Sequence, residues 1–360
     1  MSATSPTWPV LTSHLVRGED LPADWAAWAM GELMDGAATS VQLAGFLVAL
    51  ASKGVTSAEL AALADVMVEH ARPIEVPRHA VDIVGTGGDL ASTVNISTMA
   101  SVVIAATGRR VVKHGNRASS SRSGSADVLE VLGVRLDLPV PDVAAMVEEV
   151  GITFLFAVLF HPSMRHAAEA RKGLGVPTVL NFLGPITNPG RPRAGAVGVA
   201  DAVMAPTVAG VFAERGTSAL VFRGQDGLDE ITVQSPSDIW EVRGGTIREH
   251  VLDPEALLGV PRSPIGALRG GTAEENAEVA RQVFAGERSG RMGPIREAVL
   301  LNAAAGLVAH DGIDQGEDDG FAERFVAGYQ EASAALDAGA AAGVLERWAA
   351  ASQRAFDAQR

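Results

Sequence analysis

Residues 81–108, VDIVGTGGDLASTVNISTMASVVIAATG, restrict the fold more than any other stretch of the chain. A short run rich in β-branched residues meets a glycine cluster, and a long apolar run with a polar start follows. That order predicts a strand, a tight loop and a helix. The alternation continues downstream. RVVK (110–113), ITFLFA (152–157), AGAVGVA (194–200) and SALVFRG (218–224) read as short buried strands. SADVLEVLG (125–133) and APTVAGVFAERG (205–216) read as helices between them. Apolar strands alternating with helices imply an α/β fold with a central, mostly parallel sheet covered on both faces. DIWEVRGGTIREHVL (238–252) predicts a hairpin turning at Gly244-Gly245, and residues 294–358 form an alanine-rich helical tail.

Upstream the pattern differs. Residues 1–10 carry two prolines and read as a flexible tail, and residues 11–71 are helical throughout. Asp24 is placed to cap WAAWAMGELM, Ser40 to cap VQLAGFLVALASK, and Thr56 with Glu59 forms a capping box. ARPIEVP (71–77) reads as a linker. The expected organisation is a small all-helical domain over 11–76 and a larger α/β domain over 77–159 and 186–360.

Charge narrows the function. A net charge of −14 argues against non-specific binding to nucleic acid or an anionic membrane. The chain has no cysteine, which excludes disulfides and thiolate chemistry and fits a cytoplasmic protein. Neither a secretory pattern nor an apolar run of about 18 residues is present.

Against that acidic background, Leu90 to Ala126 contains no Asp or Glu, although 43 acids in 360 residues would put about four there. The window holds Arg109, Arg110, Lys113, His114, Arg117 and Arg122, and it ends in KHGNRASSSRSGSA. Such a tract is either a solvated basic loop or one wall of a polyanion site. Lys113 offers a point charge, Arg117 and Arg122 offer fork geometry, and Ser119, Ser120, Ser121 and Ser123 offer hydroxyl donors. GTGGD (85–89) is either a plain tight turn or a second anion cradle, with the helix start near Asn95 adding its dipole and Thr93, Ser97 and Thr98 their hydroxyls. It matches neither the G-x-G-x-x-G fingerprint nor a Walker A loop. DGLDE (226–230) sets Asp229 beside Glu230 after a predicted strand, which alone reads as a surface turn but beside a polyanion site suits Mg²⁺, an ion content with one or two carboxylates plus phosphate and water.

DIVGTGGD (82–89), NIST (95–98), KHGNRASSSRSGSADVLE (113–130), FHPSMRHAAEAR (160–171), LNFLGPITNP (180–189) and DGLDE, in this order, resemble the anthranilate phosphoribosyltransferase family over almost the whole chain. The resemblance implies a helical domain that a mid-chain segment around 160–185 rejoins, an active site in the interdomain cleft, and a homodimer through the helical domains. It implies Mg²⁺-dependent transfer of phosphoribose from phosphoribosyl pyrophosphate to the amine of anthranilate, with two ions. Carried over by motif, Gly85, Gly88, Asp89, Thr93, Asn95, Ile96, Ser97 and Thr98 would contact phosphoribosyl pyrophosphate. Lys113, Gly115, Asn116, Arg117, Ala118, Ser119, Ser120, Ser121 and Ser125 would form its second binding loop. Gly85, His114, Asn116 and Arg171 would hold anthranilate, with His114, Asn116 and Arg171 as the catalytic set. Ser97, Asp229 and Glu230 would serve the metal.

Three positions depart from the family pattern: Leu90 stands where a glycine is usual, Leu159 where a basic residue is common, and Leu180 where Phe is common. They are expected to bear on loop closure and acceptor range. Other readings are a relative using another aromatic amine, a pyrimidine-nucleoside phosphorylase-like enzyme, and a non-catalytic nucleic-acid binder. The DGLDE pair and KHGNR loop weigh against the second, and the net charge against the third.

Overall fold

The computed structural model of the chain describes residues 6–118, 122–316 and 320–359. Four helices come first: α1 Trp8–Val16, α2 Ala23–Met34, α3 Ser40–Lys53 and α4 Ser57–Glu69. α1 takes in the last three residues of the expected tail. Trp8 is buried against Trp28 and Phe46, at 5.2 and 5.8 Å between ring centroids, and that aromatic burial continues the helix to the N-terminal side of Leu11. The capping box at Thr56 and Glu59 forms as read. Two other caps shift by a residue or two. Thr39, not Ser40, caps α3, with Gln42 completing its box, and Asp24 lies within the first turn of α2 behind Pro22.

The rest of the chain alternates. In order come β1 Val81–Gly85, α5 Ile96–Ala106, β2 Val111–Gly115, α6 Ser125–Val131, α7 Val140–Val150 and β3 Ile152–Phe156. A broken helical stretch follows: α8 Ala157–Phe160, a 3₁₀ turn at Pro162–Ala167, α9 Ala168–Leu174 and α10 Leu180–Leu183. Then come β4 Ala194–Gly198, α11 Met204–Glu214, β5 Ser218–Gly224, and the hairpin of β6 Ser237–Arg243 and β7 Thr246–Leu252. α12 Pro254–Leu258, α13 Ala273–Phe284, α14 Met292–Asp311, α15 Phe321–Asp337 and α16 Ala340–Asp357 close the chain.

The strands form a sheet in the order β3-β2-β1-β4-β5-β6-β7, parallel through β5 and antiparallel for the hairpin. Strand period sorts side chains between two cores. Ala194, Ala196, Leu220 and Phe222 join a core with α5 and α14, while Val197, Val199, Ala219 and Val221 join one with α11 and the N-terminal helices. The segment after β3 returns to those helices: the 3₁₀ turn packs on α2, α9 on α3, and Ala167, Ala170, Leu180 and Leu183 enter their core.

Strand order places the site. The chain builds outward from β1 to β3 and then crosses back to β4 on the other side of β1. The crevice at the C-terminal ends of β1 and β4 is the topological switch point, where open α/β sheets bind ligands.

Candidate active site

The loop after β5 lies across that crevice. Asp229 fits there because β1 and β4 both end in glycine. A Cβ on Gly85 would overlap Asp229 Oδ2 and stand 2.9 Å from its Cγ, and one on Gly198 would stand 2.5 Å from the Asp229 carbonyl carbon. The Gly87 N–H donates to Asp229 Oδ2 at 2.6 Å. Gly87 and Gly88 take φ of +71° and +87°, and the turn continues through Leu90 and Ser92 at +60° and +51°. Leu90 therefore occupies a left-handed conformation that an L side chain adopts at a cost, and 84% of its surface faces solvent.

Asp229 and Glu230 are both buried. Burial, followed by repulsion from Asp89, pushes the Asp229 carboxyl up to about 7. Burial and then Asp229 hold Glu230 well above the usual carboxylate range, against the opposing pull of Lys113 and the Ser97 N–H. Three acids gather here, and one buried ammonium stands near them. Such an imbalance in a dry site is relieved by protonation or by a cation. Among the described residues no three or more His, Cys, Asp or Glu side chains converge as a complete metal cage. The adjacent buried carboxylates of Asp229 and Glu230 suit Mg²⁺, which takes few carboxylates and completes its shell with water and phosphate.

β2 supplies the floor. Lys113 is 1% exposed, and its Nζ donates to the Ile83 carbonyl and to Ser97 Oγ, the latter at 3.4 Å. Burial lowers its pKa, while Asp82 and Glu230 oppose the fall. Lys113 is expected on a phosphate loop but lies under it, because β2 lies between β1 and β3 with helices on both faces. Asp82 accepts the His114 N–H at 3.1 Å and an Asn188 Nδ2 hydrogen at 2.8 Å, and burial raises it to about 6. His114 is held by burial at about 3, and so is neutral. Its Nδ1 lies 3.0 Å from the Gly184 carbonyl, so that nitrogen carries the hydrogen. Nε2 keeps its lone pair and has no partner among the described residues.

The second loop begins at Gly115, where a Cβ would strike the Phe154 ring at 2.8 Å, and closes at Gly124. Asp127 Oδ2 accepts from the Ala118 and Gly124 N–H groups at 3.1 and 2.9 Å, pinching the base of the loop. Arg117 differs from expectation. It bonds Asp127 at 2.8 Å and Glu130 at 2.6 and 3.0 Å, and stacks over Phe156, so its fork is already occupied by carboxylates. Those two acids come from α6, just beyond the acid-free window. Ser119, Ser120 and Ser121 lie outside the described residues. The Thr98 hydroxyl donates to Ser125 Oγ at 3.0 Å, joining the loop to α5. Thr93 bridges to Arg269. Asn95 and Ile96 start α5, and the Asn95 amide is tied into the protein: Nδ2 donates to Ser123 O, and Oδ1 accepts from Asn276.

On the acceptor side Asn116 is exposed, with Oδ1 accepting from the Arg117 N–H, and Arg171 is exposed on α9. Leu180 is buried in the helical core and Leu159 packs beside Phe160, so two of the three departures are packing positions. Asp82, Asn188 and Asn302 were not singled out from sequence. Asn302, on α14, takes the Ile231 N–H and donates to its carbonyl, both at 3.0 Å, fixing the residue after Glu230. An acid within the apolar run VDIV is the one signal that could have marked this buried network.

Residues 77–342 match the family described as glycosyl transferase family, a/b domain, and residues 9–71 match its helical bundle domain. The chain is 56% identical over 348 residues to the anthranilate phosphoribosyltransferase of Arthrobacter sp. (strain FB24), covering 97% of each. It is 55% identical over 348 residues to that of Nocardioides sp. (strain ATCC BAA-499 / JS614), covering 97% of this chain and 99% of the other. The crystal structure of the Thermus thermophilus enzyme superposes with a TM-score of 0.86 at 41% identity, over 95% of this chain and 99% of that one. The Saccharomyces cerevisiae enzyme in complex with PRPP and Mg gives 0.84 at 25% identity, over 96% and 98%.

Proposed function

The chain belongs to the anthranilate phosphoribosyltransferase family, and from that premise we propose that it transfers the 5-phosphoribosyl group of phosphoribosyl pyrophosphate to the amine of anthranilate. The products are N-(5-phosphoribosyl)anthranilate and pyrophosphate, the second step of tryptophan synthesis from chorismate. The observation that carries this reading is the buried Asp229–Glu230 pair, set against the glycine loop at the switch point of the sheet.

The amine nitrogen forms a bond to ribose C1, the bond from C1 to pyrophosphate breaks, and the nitrogen loses a proton. An aromatic amine is neutral at pH 7, so positioning supplies much of the rate. Gly85, Gly88, Asp89 and Thr93 line the donor, with α5 presenting Ser97 and Thr98 and the second loop enclosing the phosphates through Gly115, Ala118 and the serines up to Ser125. Asp229, Glu230 and Ser97 would hold Mg²⁺, as two ions, and the metal would supply positive charge for the departing pyrophosphate. Lys113 balances the carboxylates from beneath and is not a direct phosphate ligand. Neutral His114 offers Nε2 as an acceptor for an amine hydrogen. Asn116 orients the ring, and Arg171, from the segment that packs on α3, clamps the carboxylate.

Homodimerisation through the helical unit is supported by Val16, Val41 and Val48, apolar side chains exposed on α1 and α3. No helix among the described residues is long and apolar enough to cross a membrane, and we assign the protein to the cytoplasm. The test is loss of anthranilate fluorescence with phosphoribosyl pyrophosphate and Mg²⁺, alongside pyrophosphate release. Folded protein that consumes no anthranilate at high enzyme concentration would end this reading.

A further inference from the structure

The stretch that follows the hairpin forms an outer wall of the donor loop. The Gly270 N–H donates to Ser92 O at 2.7 Å and the Val94 N–H to Leu268 O at 2.9 Å. A Cβ on Gly270 would lie 2.5 Å from the Thr93 carbonyl oxygen. From this wall α13 sends one polar side chain inward. Asn276 is buried, Oδ1 accepts from the Gly271 N–H at 2.8 Å, and Nδ2 donates to Asn95 Oδ1 at 2.8 Å. Asn95 in turn donates from Nδ2 to Ser123 O at 3.1 Å.

The polarity of this relay is fixed at both ends. A backbone N–H at Gly271 can only donate and a carbonyl at Ser123 can only accept, so each amide has one workable orientation. Asn95 is also the residue from which α5 starts. The first turn of α5 turns the Ser97 N–H toward Glu230 and gives Ser125 a hydroxyl from Thr98. One amide therefore sets the second loop, the helix start and, through that helix, the acidic pair in a common frame.

We propose that Asn276 is a positioning residue for the phosphoribosyl pyrophosphate half of the site, acting through Asn95 on the loop that ends at Ser125; the proposal rests on the phosphoribosyltransferase reading above. Asn276 touches no substrate. Its contribution is to hold Asn95 in the rotamer that carries Ser123 and to keep the donor loops in register before substrate arrives.

Two conservative substitutions separate the links. Asn276→Asp keeps an acceptor for the Gly271 N–H and loses the donor toward Asn95. Asn95→Asp keeps the acceptor for Asn276 and loses the donor toward Ser123. Each is expected to raise the KM for phosphoribosyl pyrophosphate about tenfold, the loss of one buried hydrogen bond, with the anthranilate KM within about twofold. A double Asn276→Ala/Asn95→Ala variant, which sets no two carboxylates side by side, should be no more than about threefold worse than either alanine single variant, because a relay already broken has little more to lose. Lost melting temperature with an unchanged donor KM in folded Asn276→Asp, or multiplicative effects in the double variant, would overturn the proposal. If Asn276→Asp does not fold, Asn95→Asp decides, and a wild-type donor KM there has the same force. Wild-type protein without turnover would count against the functional reading and not against the relay.

Discussion

Replacing Gly85 by Ala tests the centre of the site with a single methyl group. The added carbon would overlap Asp229 Oδ2 and sit 2.9 Å from its Cγ, whereas non-bonded heavy atoms settle near 3.5–4.0 Å. The carboxylate must retreat by about 1 Å, and its 2.6 Å bond from the Gly87 N–H breaks. A hydrogen bond to a charged group contributes about 1.5–3 kcal/mol, which is roughly a ten- to hundredfold effect, and an ångström of misplacement in a reacting assembly costs about a hundredfold. The variant should therefore need at least about tenfold more Mg²⁺ for half-maximal rate and lose about a hundredfold in kcat/KM at saturating metal. Initial rates of fluorescence loss across a Mg²⁺ series, with circular dichroism to confirm folding, measure both. A folded Gly85→Ala protein with a wild-type Mg²⁺ requirement would refute the idea that Asp229 is placed for metal.

The raised pKa of Asp229, about 7, makes the metal requirement depend on pH. The carboxyl is protonated below that value and must lose its proton to take a cation, so half-saturating free Mg²⁺ should rise about tenfold per unit as pH falls from 7 to 5 and level off above about 8; Asp229→Asn should flatten the profile at lower activity. Arg171→Ala should raise the anthranilate KM by tenfold or more and leave the donor KM nearly unchanged, as steady-state kinetics would show. Leu90→Gly should stabilise the protein by up to about 1 kcal/mol in urea unfolding, because glycine adopts the +60° φ without strain; a destabilised variant would contradict the strain.

Features fixed by local chemistry were legible in the sequence. The strand–loop–helix units, the hairpin turn and the Thr56–Glu59 box depend on residues within a few positions of one another. Failures came from partners the sequence separates. Arg117 looked free because its carboxylates lie ten and thirteen residues ahead, on a helix that folds back beside it. Lys113 was expected on the phosphate-binding loop because its burial comes from neighbouring strands and not from its own segment. Asn95 also accepts from Asn276 on α13, 181 residues away, a partner that nothing near it in the sequence announces. The acidic pair was legible as chemistry, but its burial was not, since that depends on glycines ending two distant strands.

Those glycines have a consequence for how the site can change over time. Asp229 fills the volume a side chain at 85 would need with its carboxylate, and the volume a side chain at 198 would need with its backbone. Three segments encoded far apart thus share one packed space, and any replacement at 85 or 198 meets Asp229 before it meets substrate. A one-step mutational path away from this arrangement passes through a damaged enzyme. The exposed Asn116 and Arg171 face no comparable barrier, so lineages of this fold should diverge first in the amine they accept and last in the pyrophosphate they release.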